Sequence, residues 1–165
     1  MTKPNYFNFC PECKKKIQNV EDIKDNLEIC RNCGWKYYFH TPLTAASVVI
    51  NNKKILLVQR KKEPFRGMWS LPAGFVKYGE NPIDAALREL KEETNLSADY
   101  DNILGLYIAD DHPKTFSLLT IIIAKNIKGT LRAKDDAQKA SYFPIKELPE
   151  LAFSSHRMAL QSLNI

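Results

Sequence analysis

Short runs of apolar residues separated by polar turns dominate the chain from Leu43 onward, which is the pattern of β-strands. Two asparagines, at positions 51 and 52, separate the first two runs. Asparagine tolerates the positive φ that tight hairpin turns require, so a hairpin is expected there. The predicted strands cover residues 44–50, 54–59, 103–109, 116–124 and 129–133.

A helical pattern interrupts the strands at residues 82–94, where apolar residues recur every three or four positions. Asn81 precedes this segment as a candidate N-cap, Pro82 takes the first helical position and Asp84 lies in the first turn. A shorter helix is predicted at 155–163. Because strands and a few helices follow without regular βαβ alternation, we predict an α/β fold with a mixed sheet covered by helices.

The predicted helix carries a cluster of acidic side chains on one face. Glu89, Glu92 and Glu93 have the i, i+3 and i+4 spacing that makes residues neighbours on a helix, so they repel one another unless a cation lies between them. A solvated face, with Arg88 and Lys91 diluting the repulsion, is the alternative. Clustered oxygen ligands without nearby cysteine or histidine favour Mg²⁺ or Mn²⁺.

The loop at residues 69–80 contains two glycines and runs directly into this helix. Glycine lets the backbone approach a ligand closely, so a loop carbonyl and Glu80 can complete a coordination sphere that the helix carboxylates begin. A divalent ion on carboxylates can bridge phosphate oxygens and activate a water molecule. The candidate chemistry is therefore the hydrolysis of a phosphate compound.

Charge supports a cation site at this helix. The whole chain of 165 residues carries a net charge of +5, yet residues 80–93 hold five acids and two bases, a local net of −3. The composition, 44% hydrophobic and 26% charged, excludes collagen-like and disordered classes. The longest apolar run, 118–124, is far shorter than the roughly 20 residues of a membrane helix, and no signal peptide is recognisable. We therefore expect a cytoplasmic protein with no membrane partner.

All four cysteines fall within the first 33 residues, as two Cys-x-x-Cys pairs. This spacing is typical of zinc sites, and in a chain without a secretory signal metal is favoured over disulfides. A closed four-thiolate site has no open position, so its Zn²⁺ is expected to be structural. The expected ligands are Cys10, Cys13, Cys30 and Cys33. A joint at Thr41-Pro42 then divides the chain into a zinc ribbon, 1–40, and a second domain, 41–165.

The loop and helix together resemble the Nudix box, the signature of the Nudix hydrolases. The matching positions are Gly74, then Glu80 after five residues, then residues 88–96, Arg-Glu-Leu-Lys-Glu-Glu-Thr-Asn-Leu, after seven more. Asn95 stands where the family has glycine, and asparagine is the next most tolerant residue of the left-handed turn that ends the helix. The resemblance covers about residues 43–163, and the cysteine pairs resemble the N-terminal zinc ribbon of some bacterial and archaeal members.

This resemblance implies an enzyme that hydrolyses a nucleoside diphosphate linked to a further group X, on a three-layer α/β/α sandwich. It implies that Arg88 orients Glu89, and that Glu89 is either a metal ligand or the base that activates water. It also implies that Glu80 holds the loop or joins the metal shell. The implied ligands of Mg²⁺ or Mn²⁺ are Gly74, Glu80, Glu89, Glu92 and Glu93. ADP-ribose hydrolases of the family place a catalytic glutamate in a late loop, where this chain has Asp135 and Asp136, so these two are alternative bases.

The residues that indicate a substrate are less specific than the residues of the box. Residues 72–74, Pro-Ala-Gly, and Pro113, which lies 17 residues beyond Leu96, resemble ADP-ribose hydrolases, whereas the Ser-Gln-Pro-Trp stretch of NADH pyrophosphatases has no counterpart. ADP-ribose, or a similar ADP-sugar or dinucleotide, is therefore the expected substrate. Arg60 and Arg66 are candidate phosphate-binding residues.

Two other functions stay open. The first is a nucleoside triphosphate sanitiser or RNA-end pyrophosphohydrolase on the same fold. The second is a non-catalytic ribbon-Nudix protein that senses a nucleotide or binds nucleic acid, but such a protein has no need of three mutually repelling carboxylates. We therefore expect a small nucleotide substrate and no nucleic-acid partner. Nudix enzymes often complete the substrate site from a second copy, which leaves a homodimer open. His156 lies in a stretch, 152–157, that resembles a late family segment without an assigned role.

Overall fold

The computed structural model describes residues 7–17, 27–111 and 116–163. The chain divides into two compact units, Met1–His40 and Thr41–Ile165. Pro113 lies outside the described residues. No helix in the described ranges has the length and apolar character that a membrane span requires.

The smaller unit contains a two-stranded antiparallel sheet of β1, Leu27–Ile29, and β2, Lys36–Tyr38. Its core is formed by Cys10, Ile17 and Cys30, with the rings of Phe7 and Trp35 packed against them. Among the described residues of this unit, two of the three side chains that form the core are therefore cysteines.

The larger unit is built on a mixed seven-stranded sheet with the order β5-β4-β3-β8-β7, in which β6 also pairs with β3 and β9 with β4. Strands β3 and β8 are parallel, and the other pairs are antiparallel. The strands are β3, Leu43–Asn51; β4, Lys54–Arg60; β5, Trp69–Ser70; β6, Ala73–Phe75; β7, Ser97–Ala109; β8, Ser117–Lys128; and β9, Ala137–Pro144.

Two helices cover opposite faces of this sheet: α1, Pro82–Thr94, and α2, Ser154–Gln161. Successive residues of a strand point to opposite faces, and β3 shows this directly. Val49 packs in a cluster with residues of α1, whereas Val48 packs with residues of α2. The fold is therefore the expected three-layer α/β/α sandwich, and the prediction of a mixed sheet is confirmed. A single 3₁₀ turn, Ile145–Glu147, follows β9.

Helix α1 has the predicted bounds, because both of its ends are capped by asparagine. The Asn81 side chain accepts a hydrogen bond from the Ile83 N–H at 2.9 Å. Asn95 has a left-handed φ of 62°, and its N–H donates to the Lys91 carbonyl at 3.0 Å. Asparagine thus takes the place of the glycine that usually ends this helix in the family.

The strand predicted at 129–133 is wrong. That segment is irregular and lies against the C-terminal end of α1, where Arg132 N–H donates to the Thr94 carbonyl and Lys134 N–H to the Glu93 carbonyl, both at 2.9 Å. The strand that completes this part of the sheet is β9, which was not predicted. The first hairpin is present, with its turn at Asn52 and Lys53, whose φ values are 49° and 59°.

Candidate active site

Arg88 joins α1 to the glycine-containing loop. Its guanidinium donates from Nε to Glu80 Oε1 at 2.7 Å and from Nη2 to Glu80 Oε2 at 2.9 Å, and Nη2 also donates to the Phe75 carbonyl. The Lys77 N–H donates to Glu80 Oε2 as well, at 2.9 Å. Arg88 and this N–H hold the pKa of Glu80 near 2. Both Glu80 oxygens are therefore engaged in hydrogen bonds that hold the loop.

The remaining amino group of Arg88 lies between two carboxylates of α1. Nη1 contacts Glu89 Oε1 and donates to Glu92 Oε2 at 3.0 Å, while Glu92 Oε1 lies 3.7 Å from Lys77 Nζ. Burial raises the pKa of Glu89, against the attraction of Arg88. The Glu89 carboxylate also packs directly on Gly74, where a Cβ would overlap it. Gly74 is therefore required sterically, whatever its carbonyl binds.

Glu93 is the most buried of the three carboxylates, with 7% of its surface exposed. Its Oε2 accepts a hydrogen bond from the Ala73 N–H at 3.0 Å, which joins the helix to β6. Burial raises its pKa to about 8, and the neighbouring Glu89 charge adds to the rise. A buried carboxylate with a raised pKa lacks a compensating positive charge, which is the situation that a bound cation relieves.

The donor set suits a hard divalent ion. Within the described residues, Glu89 Oε2 and Glu93 Oε1 accept no hydrogen bond, so each carboxylate keeps one oxygen free for a ligand. The oxygens of α1 do not converge on one point in those residues, because Arg88 holds Glu89 and Glu92 in ion pairs. The ligand chemistry therefore fits Mg²⁺ or Mn²⁺, while Arg88 shares one oxygen of Glu92.

A cavity of about 300 Å³ is lined by Ala73 and Gly74, which contact the carboxylates of Glu93 and Glu89. Arg60 lines it too: its Nε donates to the Pro64 carbonyl at 2.9 Å and its guanidinium lies 5.0 Å from the centre of the Phe153 ring. Burial lowers the pKa of Arg60, and the charge of Glu93 opposes that shift. A fixed guanidinium beside the carboxylates is suited to binding a phosphate group.

Other predicted residues lie further from the carboxylates. Asp136 lines the cavity but forms an ion pair with Lys62 at 2.5 Å, whereas Asp135 is exposed and does not line it. Arg66 is also exposed and outside the cavity. The structure thus brings Arg60 and the carboxylates of α1 to one place and leaves Arg66 and Asp135 apart.

A further part of the cavity lining could not be foreseen from the sequence. It consists of Asp111, which follows β7, and of the first residues of α2. Asp111 Oδ2 accepts hydrogen bonds from the Ser154 N–H and hydroxyl, both at 2.8 Å, and thereby caps α2. His156 is 3% exposed, and its Nδ1 accepts a hydrogen bond from the Leu71 N–H at 3.1 Å. Burial lowers the pKa of His156 to about 3, so its imidazole is neutral.

The four cysteines form the second candidate metal site, in the smaller unit. Their ligand atoms all lie within 4.8 Å of one another. The Sγ atoms are 3.6 Å apart in the pairs Cys10–Cys33 and Cys13–Cys30, close to the edge of a tetrahedron with bonds of about 2.3 Å and far beyond a disulfide bond. They are free thiols in the described structure. Each pair lies in a tight turn, since Lys14 N–H donates to the Cys10 carbonyl and Gly34 N–H to the Cys30 carbonyl.

Comparison with known proteins agrees with this geometry. Residues 41–163 match the NUDIX domain family, and the chain belongs to this family of hydrolases. An ADP-ribose pyrophosphatase of Methanocaldococcus jannaschii is 35% identical over 145 residues, covering 87% of this chain and 80% of that protein.

Two further relatives extend the comparison. A NAD-capped RNA hydrolase of Vibrio atlanticus is 27% identical, and the match covers 87% of this chain but only 52% of that protein. A crystal structure of a Nudix hydrolase from Nitrosomonas europaea has the same fold, with a TM-score of 0.78 at 24% identity, covering 94% of this chain and 89% of the other.

Proposed function

We propose that this protein is an Mg²⁺- or Mn²⁺-dependent pyrophosphohydrolase that cleaves a nucleoside diphosphate linked to X, with ADP-ribose or a similar ADP-sugar or dinucleotide as substrate. The observation that carries the proposal is the pair of half-buried and buried carboxylates, Glu89 and Glu93, each with one free oxygen beside the cavity that Arg60 lines. Similarity to an ADP-ribose pyrophosphatase supports the choice of substrate.

In this proposal Glu92 and Glu93 hold the metal ion, with the Gly74 carbonyl as a further ligand. The ion, when bound, supplies positive charge to the phosphates and lowers the pKa of a water molecule. Arg88 orients Glu89 through Oε1, which leaves Oε2 to accept the proton of the attacking water. A carboxylate whose pKa is raised is the better base near neutral pH. Arg60 binds a phosphate from the cavity side.

Glu89 is the preferred base on the geometry of its competitors. Asp136 is engaged with Lys62, and Asp135 is exposed and does not line the cavity. Glu80 has no free oxygen, so we assign it to positioning Arg88 rather than to the metal. The two roles can be distinguished by substitution. Replacing the base changes the pH profile of hydrolysis, whereas replacing a positioning residue such as Glu80 does not.

For the smaller unit we propose a structural Zn²⁺ on the four cysteines, with residues 1–40 as a zinc ribbon and 41–165 as the hydrolase domain. Both the thiol spacing and the absence of an open coordination position in a four-cysteine site support this assignment. We further propose that the protein acts on free nucleotides in the cytoplasm. Formation of a homodimer stays a prediction.

A second candidate is hydrolysis at the 5′ end of RNA. It is favoured by similarity to a NAD-capped RNA hydrolase, a protein of which this chain spans about half. RNA binding weakens steeply as salt rises, because each phosphate contact releases counterions. Affinity for a short capped RNA that does not change with salt, or no affinity, would exclude this candidate.

The test of the first candidate is product analysis with Mg²⁺ and a panel of ADP-ribose, NADH, dinucleoside polyphosphates and nucleoside triphosphates. We expect AMP and ribose 5-phosphate from ADP-ribose, and we expect the Glu92→Gln variant to form neither. A wild-type protein that hydrolyses only triphosphates would transfer the assignment to a sanitising enzyme. No hydrolysis of any compound with either metal would contradict the proposed class of reaction.

A further inference from the structure

Ser155, the second residue of α2, contains an unsatisfied buried hydroxyl. The residue is completely buried, lines the cavity, and its Oγ has no hydrogen-bond partner in the described structure. Buried polar atoms are nearly always paired, and exceptions commonly mark a site that a ligand or a bound water completes. The hydroxyl is therefore a candidate ligand contact in this cavity.

His156, the next residue of α2, adds a hydrogen-bond donor to the cavity. Because its Nδ1 accepts from the Leu71 N–H at 3.1 Å, the ring proton of the neutral imidazole sits on Nε2. Nε2 makes no hydrogen bond to any residue that the structure describes, and His156 lines the cavity. The tautomer is thus set by the backbone of the loop that leads to Gly74, and it presents an N–H group rather than an acceptor.

Asp111 adds an acceptor. One of its oxygens, Oδ2, is held by the Ser154 N–H and hydroxyl at 2.8 Å, which fixes the orientation of the carboxylate against α2. The second oxygen, Oδ1, accepts nothing from the described parts of the chain, and the residue lines the cavity. Carboxylate oxygens that accept from hydroxyl groups are a recurring means of holding a sugar in nucleotide sites.

The three groups together complement an alcohol rather than a phosphate or an apolar group. An imidazole N–H donates, a carboxylate oxygen accepts, and a serine hydroxyl does both, which matches neighbouring hydroxyl groups that each donate and accept. The Asp111 charge disfavours a phosphate beside it. Arg60 lines the same cavity and interacts with the charge of Glu93, so the phosphates are expected at Arg60.

The nucleobase has a different location available. Stacking on a base needs an accessible ring face. Phe75, at the cavity's rim, is 60% exposed, and Tyr78 in the same loop is fully exposed, whereas Phe153 inside the cavity is covered by Arg60. The exposed rings suit the base, and the buried polar groups suit the sugar of X.

We propose that Asp111, Ser155 and His156 form the specificity site for the sugar of group X, binding its hydroxyl groups where the start of α2 lines the cavity. The proposal rests on the proposed function, because it assigns the cavity to the leaving half of a nucleoside diphosphate substrate. It makes the terminal sugar, rather than the nucleotide, the part of the substrate that the start of α2 selects.

The test compares ADP-ribose with ADP, which lacks only the terminal ribose. Isothermal titration is carried out on the full chain in the Glu92→Gln background, in which hydrolysis is removed. Ser155→Ala deletes a hydroxyl that has no protein partner, so the variant is expected to keep the wild-type melting temperature. Asp111→Asn keeps an amide oxygen for the cap of α2 and replaces the free acceptor by a donor. Ser162→Ala, at the exposed C-terminal end of the same helix, is the matched control.

We expect Ser155→Ala to weaken ADP-ribose binding about fivefold and Asp111→Asn about twentyfold, the range of a neutral and a charged hydrogen bond. ADP affinity is expected to stay within about twofold in both variants, and the control to match the parent protein. Unchanged ADP-ribose affinity in both variants would overturn the proposal. An equal loss of ADP affinity would place the nucleoside in the cavity, and this result would also overturn the proposal.

The two proposals fail in different ways. A wild-type chain that binds ADP-ribose more tightly than ADP but does not cleave it contradicts the proposed hydrolysis and leaves the sugar site intact. Cleavage of ADP-ribose with a KM that neither Ser155→Ala nor Asp111→Asn changes leaves the hydrolysis intact and overturns the sugar site.

Discussion

Acidification is expected to weaken the larger unit through one buried side chain, the imidazole of His156. The folded protein holds this ring neutral, with a pKa near 3, because burial removes the charged form from water. In the unfolded chain the ordinary histidine pKa of about 6.5 returns. The folded-state pKa is thus the lower one, so the contribution to stability is fully present above pH 6.5 and is lost as the pH falls below it.

The size of the effect follows from the two pKa values. Between pH 7 and pH 5 the unfolded chain takes up about 0.7 of a proton at this site while the folded protein takes up almost none, which lowers the free energy of unfolding by about 2 kcal/mol. Glu93 acts in the opposite direction. Its pKa is raised to about 8, so its contribution is present at low pH and is lost as the pH rises through that value. A difference between two variants is therefore needed to isolate His156.

The suitable variant is His156→Asn, because the asparagine Oδ1 can replace Nδ1 as acceptor for the Leu71 N–H but does not titrate. Urea unfolding is followed by the fluorescence of Trp69 in a Trp35→Phe background, which removes the other tryptophan. The Trp69 ring packs on Phe143, with 4.7 Å between the two ring centroids. The wild type is expected to be the more stable at pH 7, and its advantage to shrink by about 2 kcal/mol at pH 5. An advantage that is the same at both pH values would refute the neutral, buried imidazole.

Three other predictions concern the two metal sites. Gly74→Ala is expected to lower kcat for ADP-ribose about a hundredfold, because the new Cβ displaces the Glu89 carboxylate, and steady-state kinetics with normal kcat would contradict the contact. The apparent Mg²⁺ affinity is expected to rise as the pH increases towards 8, because Glu93 must lose its proton to bind the ion. Mg²⁺ titrations at several pH values check this, and the Glu93→Gln variant is expected to lose the pH dependence. Elemental analysis is expected to find one zinc per chain, and Cys30→Ser to lose it; an unchanged zinc content would exclude the cysteine site.

The sequence predicts α1 well because every local signal there agrees. The apolar spacing, the Asn81 cap, the proline that follows it and the left-handed Asn95 all act within one helix, and the helix begins and ends where they indicate. The carboxylates of α1 follow directly, since their spacing along the helix determines which side chains are neighbours.

Tertiary hydrogen bonds explain where the strand predictions failed. The 129–133 segment has strand-like residues, but its backbone is bonded to the C-terminal end of α1 instead of to a neighbouring strand. Strand β9 has mostly partly exposed residues and no clear alternation, so its pairing with β4 is invisible in the pattern. The first half of β7 is also polar and was missed, because ladder hydrogen bonds with β8 hold it in place rather than apolar burial.

The part of the cavity lined by Asp111 and the start of α2 could not be predicted for a related reason. Asp111 and Ser154 are 43 residues apart in the chain and are brought together only by the packing of α2 on the sheet. His156 was noticed as part of a family-like stretch, but its role depends on the Leu71 N–H, 85 residues away. Arg60, in contrast, could be proposed because it follows directly on a predicted strand before the box.

The central claim is that the carboxylates of α1 carry a divalent ion that is needed for hydrolysis of the pyrophosphate bond. Its most direct test is the rate of AMP and ribose 5-phosphate release from ADP-ribose as Mg²⁺ is increased, for the wild type and for Glu93→Gln. The account predicts no release without the metal, saturable release with it, and a loss of at least about a hundredfold in the variant. Release that is independent of Mg²⁺ and Mn²⁺, or an active Glu93→Gln variant, would contradict it.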